Sequence, residues 1–88
     1  MTDHPAFIFN DVMLELKRAR AKHPNNDVWV ALAALTEEVG ELNQAILQKH
    51  FEPEKGITYD DIRNEAIQVI TVALRVLCDC GLDRESGE

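Results

Sequence analysis

The stretch "LTEEVGEL", Leu35 to Leu42, sets three carboxylates, Glu37, Glu38 and Glu41, among leucines and a valine of core type. Glu38 and Glu41 are three residues apart, which makes them surface neighbours on a helix. Ala34 and Ala45 share their stripe, with Ala31 close by, and side chains this small let another helix come near. Glu37 lies further round, and Lys49 returns to the stripe two turns beyond Glu41. A later segment carries one narrow polar strip of Asp61, Glu65, Gln68, Arg75 and Asp79, interrupted by Val72. With the two strips face to face, Glu38, Glu41 and Glu65 converge. Converging carboxylates without positive partners repel and are driven to protonate. A hard divalent cation removes that conflict, and Mg²⁺ commonly bridges carboxylates to substrate phosphates. The competing reading is a solvated acidic face that binds nothing. A di-iron bundle is set aside, because it calls for Glu-x-x-His pairs and no Glu here has His three residues later.

Three helices must position these groups. "HPNND" (His23 to Asp27) and "FEPEKGIT" (Phe51 to Thr58) hold the punctuation that divides the chain. The first helix starts near Pro5 and sets Ile8, Val12, Leu16 and Ala19 on one face. The second starts after Asp27, a good N-cap, and continues to about His50. Its apolar stripe is Val28, Leu32, Leu35, Val39, Leu42 and Ile46. The third opens on a capping box, Thr58 with Asp61, and runs to Cys80, where Gly81 supplies a stop. No segment alternates with period two, so strands are not expected. The expected fold is all-α, one domain over residues 1–88 with an ordered core over about 6–81. The third helix is apolar nearly all round and must be buried nearly all round. Two partner helices from one short chain hardly achieve that. We therefore expect a homo-oligomeric helical bundle, with a loose three-helix monomer as the alternative.

The net charge of −7 argues against nucleic acid as a partner, since backbone binding runs on Lys and Arg. A small anionic substrate needs metal ions or a local basic cluster, and "KRARAK" supplies one with Lys17, Arg18, Arg20 and Lys22. Other candidates for phosphate contact are Lys49 and Arg75; Arg75 shares the strip of Glu65, or else pairs with Asp79 four residues on. Trp29 is a candidate to stack on a base, with plain packing as its alternative. Cys78 and Cys80 match neither a zinc site nor a disulfide framework and read as buried small hydrophobes. No signal peptide or long apolar run is present, so a cytoplasmic protein without a membrane partner is expected.

"EEVGE", followed by an acidic position on the next helix, resembles the MazG-like family of all-α nucleoside triphosphate pyrophosphohydrolases, whose pattern is E-E-x-x-E, a gap, then E-x-x-D. Glu37, Glu38 and Glu41 match its first half and Glu65 the first acid of its second. The lead-in "HPNNDVWVALAALTEEVGELNQAI" is similar too, and the resemblance covers most of residues 7 to 80. It implies hydrolysis of an NTP or dNTP to the monophosphate and pyrophosphate with Mg²⁺ (or Mn²⁺); the apolar third helix leaves homodimer and homotetramer both open. By the same resemblance Glu38, Glu41 and Glu65 are metal ligands. Glu37 serves a further ion or orients the attacking water. Gln68 occupies the last ligand position, where the family has Asp. An amide oxygen can coordinate a cation but brings no charge. Two outcomes are open: a working enzyme, or a catalytically impaired nucleotide-binding or protein-interaction module of the same fold. Asp61, one turn before Glu65, is the candidate to compensate for Gln68.

Overall fold

The computed structural model describes residues 4–24 and 27–81. Helix α1 spans Pro5–Lys22, α2 Val28–Phe51 and α3 Tyr59–Asp79. Each start has a local cause. The His4 ring nitrogen accepts from the Ala6 N–H, and Pro5 brings its preset φ to the first turn. Asp27 accepts from the N–H groups of Trp29 and Val30, both at 2.9 Å. Thr58 and Asp61 cap one another reciprocally, at 2.8 and 3.1 Å. Gly81 follows α3 at φ 66°, where a side chain would be strained. The connector before α3 contains a single 3₁₀ turn, Pro53–Lys55, closed by Gly56 at φ 70°.

Helix α3 is central. It packs against α2 as an antiparallel hairpin and against α1 on another side, while α1 and α2 make no close backbone approach among the described residues. The α1 contact is parallel, buries Val12 and Leu16, and carries ion pairs at both ends. Arg63 bonds Asp11 at 2.7 Å near one end, and Arg20 bonds Asp79 at 2.8 and 2.5 Å near the other. The buried apolar residues are Val12, Leu16, Ala31, Ala45 and Ile67, joined by Thr71 and Arg75. Ala31 and Ala45 are the small side chains that bring α2 close to α3. Within one chain α3 is not buried all round: Tyr59, Ile70 and Leu77 are exposed. Cys78 is exposed and Cys80 only half-buried, contrary to the sequence expectation, because α1 and α2 cover α3 only as far as its last turn. Among the described residues no helix is long and apolar enough to cross a membrane.

Candidate functional site

The Asp27 cap starts α2 and the Thr58–Asp61 box starts α3, so two local signals fix the phases of the two acidic strips. The hairpin then brings Glu38, Glu41 and Glu65 together, with one carboxylate oxygen of each lying within 4.8 Å of the other two. No Lys or Arg forms an ion pair with any of the three among the described residues. The Glu38 Oε2 atom is shut off from solvent and has no hydrogen-bond partner. Burial, and then the charges of Glu41, Glu65 and Glu37, push the Glu38 carboxyl up to about 7. Glu65 moves in the same direction, from burial first and then Glu41 and Asp61. Such a cluster is short of positive charge and rich in hard oxygen donors, which is the donor set of Mg²⁺ or Mn²⁺.

Glu38 lines a groove of about 390 Å³ between α1 and α2, floored by α3, whereas Glu41 and Glu65 line a separate depression with Gln44, Gln48, Ile57 and Asp61. Arg18 and Lys22 stand on the α1 wall, Val30, Ala31, Ala34 and Glu38 on the α2 wall, and Gln68 and Thr71 on the floor. The α1 wall thus carries two cations, Arg18 and Lys22, with the acid Glu15 paired to Arg18, and the α2 wall is apolar and made of small side chains apart from Glu38. A ligand with a flat apolar part and a polyanionic part matches that division.

Several sequence-predicted residues lie elsewhere. Glu37 is exposed and outside the triad, acting on it through its charge. Gln68 is also outside the triad; it lines the groove beside Glu15 of α1. The Glu15 carboxyl is held below its usual range, chiefly by the Arg18 guanidinium and in part by the Gln68 amide. Asp61 is engaged in capping, its carboxylate accepting from the Thr58 N–H, which is its own reason for being acidic. Lys49 sits toward the other end of α2, where its Nζ donates to the Ile57 carbonyl at 3.3 Å and lies 4.4 Å from the Tyr59 ring centroid. Trp29 is 77% exposed and outside the groove lining, although its neighbour Val30 is within it. Arg75 lines one end of the groove, but its donors are turned into the protein. They reach Asp79 at 2.8 Å, the His23 carbonyl at 2.7 Å and the Ala19 carbonyl at 3.5 Å. Arg75 thus closes the C-terminus of α1, supplying cationic donors to the His23 carbonyl beyond the helix end and to the Ala19 carbonyl, which also accepts the His23 N–H.

The residue missed in the sequence is Glu15. Its signal was an acid on the inner side of α1, between Val12, Leu16 and Ala19, with Arg18 one turn on. The basic run divides: Arg18 and Lys22 reach the groove, Arg20 goes to Asp79, and Lys17 is exposed. No protein-family model, curated protein or solved structure matches the chain.

Proposed function

We propose that this protein is a MazG-like, metal-dependent nucleoside triphosphate pyrophosphohydrolase, converting an NTP or dNTP and water to the nucleoside monophosphate and pyrophosphate. One observation carries the reading: three uncompensated carboxylates, Glu38, Glu41 and Glu65, lie together, and Glu38 among them lines a groove whose opposite wall bears Arg18 and Lys22. The all-carboxylate donor set and the orphaned Glu38 oxygen suit a hard divalent cation. Mg²⁺ or Mn²⁺ held by Glu38, Glu41 and Glu65 would supply positive charge that neutralises and polarises a polyphosphate.

The chain's own residues do the rest. Arg18 and Lys22 draw the polyphosphate into the groove and offset its charge. Val30, Ala31 and Ala34 give the base a flat apolar wall. Glu37, exposed next to Glu38, orients the attacking water and accepts its proton. Oxygen attacks the α-phosphorus, the bond from that phosphorus to the bridging oxygen breaks, and pyrophosphate leaves with the electron pair. Positioning and charge supply most of the acceleration in such a displacement. The protein works in the cytoplasm as a self-associated bundle.

A second reading, a nucleotide-binding module with impaired chemistry, draws on Gln68, which lies against Glu15 rather than within the triad. Pyrophosphate release across a panel of NTPs and dNTPs, with and without Mg²⁺ or Mn²⁺, separates the two. The enzyme releases pyrophosphate only with metal, and Glu41→Gln abolishes release while circular dichroism shows an intact helical fold. Nucleotide binding without release selects the module. Global unfolding of Glu41→Gln would make the acids structural and sink both.

A further inference from the structure

We infer that Glu15 is a specificity-determining residue of the groove, selecting nucleotides over bare polyphosphates. As a ligand's phosphate draws Arg18 aside, the Glu15 carboxylate accepts a hydrogen bond from an N–H or O–H of the same ligand. This rests on the reading above that the groove takes a phosphate chain. Glu15 and Arg18 stand on the α1 wall, with Gln68 on the floor beside them. The Arg18 guanidinium holds both oxygens of Glu15, its Nε donating to Oε2 at 2.9 Å and its Nη2 to Oε1. The pair is lopsided: the Arg18 side chain is 58% exposed and the Glu15 side chain 14%. The arginine is thus the member free to turn toward a ligand, and the carboxylate stays in the wall.

Three observations give Glu15 this role. First, the fold does not call for the pair. Glu15 and Arg18 share one helix, three residues apart, and a partly exposed pair of that kind contributes little to stability. The fastening of α1 to α3 is carried at its ends by Asp11–Arg63, Arg20–Asp79 and the Arg75 contacts. Second, a carboxylate in the wall of a groove for polyanions opposes every ligand that brings only negative charge. Arg18 masks that charge while the groove is empty. Once Arg18 turns to a phosphate the charge is uncovered, and a ligand that offers a donor covers it again. A nucleotide has such donors on its sugar and base. A bare polyphosphate presents acceptor oxygens throughout and leaves the carboxylate facing like charge. Helix neighbours three residues apart have Cβ atoms about 5–6 Å apart. The ligand atoms that meet Glu15 are therefore those a short way along from the phosphate on Arg18. Third, Gln68 holds the carboxylate ready for the exchange. An ionised carboxylate only accepts, so Gln68 makes its bond to Glu15 through the amide N–H. That bond comes from α3 and does not depend on Arg18, so it keeps the carboxylate in place when the guanidinium leaves. A carboxylate at position 68 would repel Glu15 instead, which gives the amide its reason for standing there.

The test is equilibrium binding by calorimetry with Mg²⁺, on the full chain, Glu15→Gln and Glu15→Leu. The ligands are inorganic tripolyphosphate and α,β-methylene nucleoside triphosphates, which resist cleavage at the α-phosphorus. Glu15→Gln keeps an acceptor for Gln68, and Glu15→Leu offers none. The wild-type protein should prefer the nucleotide. That preference should fall by about 5-fold in Glu15→Gln and by about 10-fold or more in Glu15→Leu, while tripolyphosphate itself binds both variants more tightly. If Glu15→Leu unfolds by circular dichroism, Glu15→Gln decides. A panel of nucleotides then locates the donor: a loss confined to bases with an exocyclic amino group puts it on the base, and a loss common to all bases puts it on the sugar. Equal shifts for nucleotide and tripolyphosphate, or no shift, would make Glu15 a structural residue and overturn the inference while leaving the groove reading intact. If neither ligand binds the wild-type protein with metal, the groove reading and this inference fall together.

Discussion

The acidic triad should make the metal-free protein more stable at pH 5 than at pH 7.5. Glu38 is the group responsible, with its carboxyl raised to about 7 from an ordinary 4.5 by burial and by Glu41, Glu65 and Glu37. An acid whose folded pKa is raised is held protonated more firmly by the folded state than by the unfolded one. Its contribution is therefore full below about 4.5, falls as pH rises, and is lost above about 7. The gap, at about 1.4 kcal/mol per pH unit, sets a ceiling of about 3 kcal/mol. Glu38 is half-exposed, and water screens part of its repulsion, so about 1–2 kcal/mol is expected. In a chain of this size that moves the melting temperature by roughly 8 °C. The assay is a thermal melt in chelator at fixed protein concentration across pH 5.0 to 7.5. Glu38→Gln should flatten the slope and stabilise the protein at pH 7.5. Mg²⁺ or Mn²⁺ should act in the same direction, most strongly at the higher pH, where the carboxylates are ionised. Stability that is flat or rises with pH in chelator, or a slope that survives in Glu38→Gln, would refute the argument that these carboxylates oppose one another.

Other substitutions test other parts of the structure. Arg75→Met removes a buried guanidinium from Asp79 and the end of α1, and should cost about 3 kcal/mol in urea denaturation; because the two arginines hold the Asp79 carboxyl down to about 2, the wild-type protein should also lose stability between about pH 4 and pH 2, and Arg75→Met less of it. Gln68→Asp sets a second carboxylate beside Glu15 and should destabilise the protein by about 1 kcal/mol, while Glu15→Gln with Gln68→Asp should recover it; additive losses in the cycle would show that the two side chains are uncoupled. Gly40 lies mid-helix with nothing within 4 Å of an added Cβ, so Gly40→Ala should stabilise α2 by about 1 kcal/mol; a loss of assembly instead would mean that another surface packs on that side.

The helices were legible because their ends are written locally. Asp27, the Thr58–Asp61 pair, Pro5 and Gly81 each act within a turn of where they stand. The triad was legible for a related reason. Glu38 and Glu41 are related by helix geometry alone, and Glu65 stands on the one polar strip of its helix. The roles of Arg75 and Gln68 were not, because both depend on where α1 lies around α3. Arg75 had two partners consistent with its position, a substrate and Asp79. Only the approach of the α1 C-terminus shows that its donors are already used. Gln68 reads as a weakened ligand until Glu15 appears beside it from a helix more than fifty residues earlier. Asp61 has the complementary lesson: its capping role was visible in the sequence and accounts for the acid without any compensating function.

The same division bears on how the groove works. The triad stands on the α2/α3 hairpin, where alanines allow close helix packing and one wall of the groove is fixed. The other wall, α1, buries Val12 and Leu16 and is otherwise fastened to α3 by Asp11–Arg63, Arg20–Asp79 and Arg75 at its end. Partly exposed ion pairs of this kind contribute little each and weaken with salt. The α2/α3 hairpin carries the carboxylates, while α1, carrying Arg18 and Lys22, packs against α3 alone among the described residues. Charge brought into the groove by a polyphosphate would then act on the wall that yields most easily, drawing the basic side chains inward without disturbing the ligands opposite. The ligand geometry and the groove width are thus set by different forces, and raising salt should loosen the second before it reaches the first.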